Sequence, residues 1–131
     1  MPIQATGVTP LFQVFDMLKS IDWYCDVLGF ELTQKHEPDG HLYWAMLKLG
    51  DAVLMLNSKY EDDKRPSAPP RASGDSDVTL YFSCPNVSEA YEHVRAKLPD
   101  LKPPNVASYG MKQLTIADPD GFDLCFQQPA E

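Results

Sequence analysis

The sequence predicts an α+β protein made of two β-α-β-β-β modules. Apolar residues recur every second position, then at helical spacing, then every second position again, and this succession runs twice along the chain. A polar, proline-rich stretch separates the two runs, and each helical stretch has its own capping residue and its own stop. These observations divide one domain into a first module at residues 1–57, a linker at 58–76 and a second module at 77–131.

In the first module GVTPLFQVF alternates after Pro10, with Phe12 and Val14 on one face and Thr9, Leu11 and Gln13 on the other. The helix comes next: in DMLKSIDWYCDVLG, Met17, Ile21, Tyr24 and Leu28 form a stripe, Asp16 stands as N-cap and Gly29 as the stop. FELTQKHE, HLYWAMLKLG and DAVLMLNS then read as three strands, joined by the EPDG turn and the Gly50-Asp51 pair. Residues 58–76 carry charge, proline and small polar residues without an apolar period, which reads as a linker or long loop.

The second module repeats the order. DVTLYFSC is a strand with Val78, Leu80 and Phe82 opposite Asp77, Thr79 and Tyr81. Asn86 with Glu89 three residues on resembles a capping box, and Val87, Ala90, Tyr91, Val94 and Leu98 continue as a helical stripe closed by Pro99. LKPPNVASY is a weak, proline-broken strand; GMKQLTIAD, the DPDG turn and FDLCFQQ complete the module. The letters of the turns also repeat, EPDGHLYW against DPDGFDLC, but Pro-Asp-Gly is good turn chemistry anywhere, so the repeated order of elements is the stronger sign of duplication.

Composition narrows the function classes. A chain of 131 residues, 44% hydrophobic and 23% charged, buries roughly two thirds of its unfolded surface without staples, and its apolar runs are too short to cross a bilayer. Net charge is −8, from 19 acidic and 11 basic residues, and the basic ones are scattered, so nucleic acid and membrane are not expected partners. Cys25, Cys84 and Cys125 lie far apart in no zinc-binding spacing, and MPIQATGV lacks the features of a secretory signal; reduced thiols and a cytoplasmic location are the expectation.

The pattern VFDMLKSIDWYCDVLGFEL, the Gly50-Asp51 hairpin, YGM at Tyr109–Met111 and DPDGFDL together resemble the vicinal oxygen chelate superfamily, which groups glyoxalase I, extradiol dioxygenases, fosfomycin-modifying enzymes and bleomycin resistance proteins. The resemblance implies paired βαβββ modules whose concave sheets form the site, commonly in a homodimer. It also implies that metal-dependent members hold their ion with inward His, Glu or Gln side chains. Carried over from the matched motifs, those positions fall on Thr9, Met55, Asp77 and Cys125. A divalent oxygen-activating centre favours several imidazole and carboxylate ligands together, and this set supplies only the one carboxylate of Asp77. His36 and His41 flank the EPDG turn as an exposed pair, and His93 belongs on the solvent side of the second helix.

Alternation from the same positions puts Trp44, Met46, Met55, Thr79, Tyr81, Gln113, Asp123, Cys125 and Gln127 on inward faces, a mixture of aromatic, thioether and neutral hydrogen-bonding groups suited to a small-molecule ligand. For Trp44 and Met46, packing in the core or at a dimer interface is the competing reading. The candidate ligand-binding residues are Thr9, Trp44, Met55, Asp77, Tyr81, Tyr109, Gln113 and Cys125, with no catalytic residue and no metal ligand among them. The functional expectation is a protein without a cofactor, similar to the bleomycin resistance branch, that sequesters an aromatic or cationic small molecule in a dimer cleft. The alternative is a glyoxalase-type lyase or isomerase, or a dioxygenase, using a divalent metal.

Overall fold

The computed structural model describes residues 2–60, 66 and 78–130. The first module contains β1 (Leu11–Val14), α1 (Met17–Trp23), β2 (Glu31–His36), β3 (Trp44–Leu49) and β4 (Ala52–Ser58). The second contains β5 (Thr79–Ser83), α2 (Val87–Arg95), β6 (Asn105–Val106), β7 (Met111–Ala117) and β8 (Asp123–Pro129). Each module makes its own four-stranded sheet, in the order β1-β4-β3-β2 and β5-β8-β7-β6. The first and last strand of each pair in parallel, and the remaining neighbours are antiparallel. Parallel neighbours need a long crossover, and here the module's helix and its two middle strands provide it. The chain divides into two compact units that follow the modules, except that Asp26–Leu28 group with the second.

The helices start where the sequence places their caps. Asp16 accepts from the Lys19 N–H at 3.2 Å. Asn86 accepts from the Glu89 N–H at 3.0 Å while its own amide reaches the Glu89 carboxylate at 3.2 Å, a reciprocal capping box. After Trp23 the first helix widens into a π turn at Tyr24–Leu28 and ends on Gly29, whose φ of 87° is left-handed and suits a residue without Cβ. The Gly29 and Phe30 N–H groups turn back onto the Cys25 and Tyr24 carbonyls at 3.1 and 3.0 Å. This brings Phe30 edge-on to Tyr24, with ring centroids 5.4 Å apart. Met17, Ile21, Tyr24 and Leu28, the predicted stripe, are all buried.

Each sheet has a core on one face. In the first, Phe12, Val14, Ala45, Leu47, Leu54 and Leu56 are buried with α1. In the second, Leu114, Ile116, Leu124 and Phe126 are buried with Val87 and Val94 of α2, and Phe82 stacks on its register partner Phe126 at 4.6 Å. Full burial of each of the Val, Leu, Ile and Phe side chains is worth about 1.5–3 kcal/mol, so these faces fix which side of each sheet points away from its helix.

Two features of the sequence reading change. EPDG joins β2 to β3, whereas DPDG joins β7 to β8. The repeated letters therefore sit at connections that do not correspond between modules; Gly50-Asp51 is the true counterpart of DPDG. The two turns also differ in detail. In DPDG the buried Asp118 carboxylate accepts from the Asp120 and Phe122 N–H groups, both at 2.9 Å. In EPDG, Asp39 itself takes a left-handed φ of 55°. β4 also runs through Ser58, one residue into the stretch assigned to the linker, and residues 61–65 and 67–77 of that stretch and its border lie outside the described residues.

Candidate functional site

On the first sheet, strand pairing lines up the side chains that point away from α1. Leu11, Met55, Met46 and Gln34 form one row across four strands; Gln13, Asn57, Trp44 and His36 form the next. Trp44, Met46 and Met55 are half-buried, and Leu11 at the border is 42% exposed. Two thioethers side by side with an indole make this face apolar and deformable. The register of β2 shifts by one residue between Leu32 and Gln34. That irregularity places His36 opposite Trp44, a position that plain alternation did not reveal.

The second sheet presents a different surface. Tyr81, Cys125 and Thr115 form one row, and Ser83, Gln127, Gln113 and Asn105 the next. The Gln113 amide nitrogen donates both to the Tyr109 hydroxyl at 2.7 Å and to the Gln127 carbonyl oxygen at 3.0 Å. Gln128, one residue along, faces the other way and accepts from the Val87 N–H, the first of α2, at 2.6 Å. Period-two geometry thus gives adjacent glutamines separate tasks. Cys125 is 2% exposed between its neighbours, while Tyr81 beside it is 59% exposed. Burial pushes the Cys125 thiol pKa up, opposed by a hydrogen bond with Thr115. It stays a protonated thiol at neutral pH, a poor nucleophile and a poor ligand for a hard cation.

Trp44 and Met55 share the first far face, and Tyr81, Gln113 and Cys125 share the second, with Tyr109 joined to it through Gln113. Thr9 precedes β1 and is exposed. Asp77 lies outside the described residues. Gln127 belongs beside Gln113, and the alternation through Cys125 already pointed to it. His36 and His41 do not form a simple exposed pair; both approach Tyr43, with ring centroids 6.3 and 4.1 Å away, and His41 Nε2 lies 3.4 Å from the Ser58 hydroxyl. His93 is exposed on α2. Among the described residues no three His, Cys, Asp or Glu side chains come together as a metal site. Thr9, Met55 and Cys125 offer a hydroxyl, a thioether and a neutral thiol, which do not suit a divalent oxygen-activating ion.

The profile of the Glyoxalase/Bleomycin resistance protein/Dioxygenase superfamily matches residues 8–126. The chain belongs to that superfamily. Its fold is similar to that of a bleomycin resistance determinant encoded on the transposon Tn5, at 19% identity and a TM-score of 0.72 over 95% of this chain and 98% of that one. It is also similar to a bleomycin-binding protein from Streptomyces verticillus, solved with copper(II)-bleomycin, at 15% identity and a TM-score of 0.68 over 98% of each chain. A glyoxalase-related enzyme from Clostridium phytofermentans shares it too, at 14% identity and a TM-score of 0.73 over 98% of each chain. At these identities the likeness concerns the fold. No curated protein gives a significant match.

Proposed function

We propose that this superfamily member is a metal-free binding protein that sequesters an aromatic or cationic small molecule in the cleft of a homodimer. The observation that carries this reading is the far face of the first sheet, where half-buried Trp44 lies beside Met46 and Met55 with only neutral groups, Gln13, Gln34 and Asn57, and the imidazole of His36 in its two rows. An indole offers a stacking surface for planar rings and cations, and thioethers adapt to their outline. A lyase or dioxygenase of this superfamily would need several imidazole or carboxylate ligands, and of the matched positions only Asp77 carries one. The bleomycin-binding protein of like fold supports a binding role.

The test is elemental analysis of protein purified without chelator, followed by thermal shift with nickel, zinc, manganese and magnesium ions. Metal far below one ion per chain and unchanged melting support the proposal. A stoichiometric ion, or stabilisation by several degrees with one of them, overturns it, because a ligand bound only to the folded state raises stability by mass action.

A further inference from the structure

We infer that the far face of the second sheet takes a neutral planar ligand bearing an amide-type edge, an N–H beside a C=O as in a lactam or carboxamide, with its ring laid on Tyr81. The inference rests on the binding role proposed above and narrows its ligand class.

The hydrogen-bonding ladder decides the edge. Gln113 spends its amide nitrogen on Tyr109 and Gln127. That leaves the Gln113 carbonyl oxygen as an acceptor, and the Gln127 amide nitrogen and the Tyr109 hydroxyl proton as donors. Exchanging O and N in both carboxamides still leaves one donor edge and one acceptor edge, so the complementary ligand carries both groups in either case. Gln113 and Gln127 are half-buried, and a ligand laid over them shuts out their remaining water; one that meets only the donor or only the acceptor leaves the other unanswered and is penalised.

The rest of the face fits a flat ring. Tyr81 pairs with Cys125, and Gln127 lies two residues further along β8. Tyr81 and Gln127 are therefore diagonal neighbours on one face, one strand and two residues apart and so roughly 8 Å from backbone to backbone, a distance that a bicyclic ring spans. Cys125 is the small, uncharged floor between Tyr81 and Thr115, which answers why a cysteine stands there: a larger side chain would lift the ring off the ladder. Among the described residues the face has one carboxylate, Asp123, four residues before Gln127 on β8 and so about 13 Å away along the strand. A cation at the ladder would lose its hydration without gaining a partner charge.

Three probes of one shape separate the possibilities: 2-quinolone has both edge groups, quinoline an acceptor alone, and N-methylquinolinium a positive charge. Affinities for the full chain are measured by calorimetry, with NMR shifts to locate each probe. We expect 2-quinolone to bind about tenfold more tightly than either other probe. Gln127→Leu and Gln113→Leu should each remove that preference. Tyr109→Phe, at an exposed residue, gives the same test without risk to the core and should reduce the preference. Equal affinity for the three probes, or a preference untouched by these variants, overturns the inference. Binding of N-methylquinolinium in place of 2-quinolone overturns the ligand class while the binding role stands. Failure of all three to bind overturns this inference, while the binding role is decided separately by the metal analysis above.

Discussion

The two modules share strand order, crossover and capped helix, yet their far faces are made of different chemistry. The first carries Leu11, Trp44, Met46 and Met55, with neutral polar groups spaced between them. The second carries Tyr81, Thr115, Gln113 and Gln127, tied by a glutamine ladder. On the helix sides the opposite holds, with Leu54 and Leu56 matched by Leu124 and Phe126. A duplicated module keeps the face that folds it and is free to change the face that does not. The core is constrained by packing, where a lost methylene is felt. The far face is constrained only by what it meets.

The strongest way to break this comparison is to strike matched core positions. Leu56→Ala in β4 and Phe126→Ala in β8 occupy equivalent register positions, and each should cost about 2–5 kcal/mol in urea unfolding; a near-neutral result at either would show that its module does not rely on that face. Next come the far faces. Trp44→Ala and Tyr81→Ala should leave stability within about 0.5 kcal/mol to 1 kcal/mol of the parent while weakening a bound aromatic probe by about 2 kcal/mol. Unchanged affinity in calorimetry would remove that side chain from the site. Smaller still, Asp16→Ala and Asn86→Ala should each cost about 1 kcal/mol, and equal values would show the two helix starts to be interchangeable.

The finest test uses pH. Cys125 holds its proton more tightly in the folded chain than in the unfolded one, because burial raises its pKa. Its effect on stability is therefore constant below the unfolded thiol value, near pH 8.5, and stability falls as pH climbs from there through the folded value. Urea midpoints at neutral and alkaline pH should show this decline, and Cys125→Ala should flatten it. An unchanged slope in the variant would assign the decline to other groups.

Much of this was legible in the sequence, for local reasons. Capping residues, turn residues and apolar period are properties of short stretches, so Asp16, Gly29, Asn86 and the alternation of β3, β4, β7 and β8 could be read directly. The reading failed where information is not local. The matching letters of EPDG and DPDG suggested equivalence, but a turn's sequence reports its backbone and not its place in a sheet. The register shift in β2 inverted alternation and hid His36 opposite Trp44. The candidate residues were legible as members of strand faces; the hydrogen bonds joining Tyr109, Gln113 and Gln127 depend on register across strands, which the sequence does not print.

The same register shift matters for a chain surrounded by copies of itself. β2 borders its sheet and is six residues long, so it offers a row of backbone groups on which another strand could grow. The bulge after Leu32 interrupts that row, and Glu31, Lys35 and His36 place charge or a titratable ring along it. Bulges and charges are the means by which exposed borders resist fibrous association. β6, the corresponding border of the second sheet, is only two residues long and follows Pro103 and Pro104. One border is guarded by irregularity and charge, the other by brevity, and each limits aggregation where a sheet is left without a neighbour.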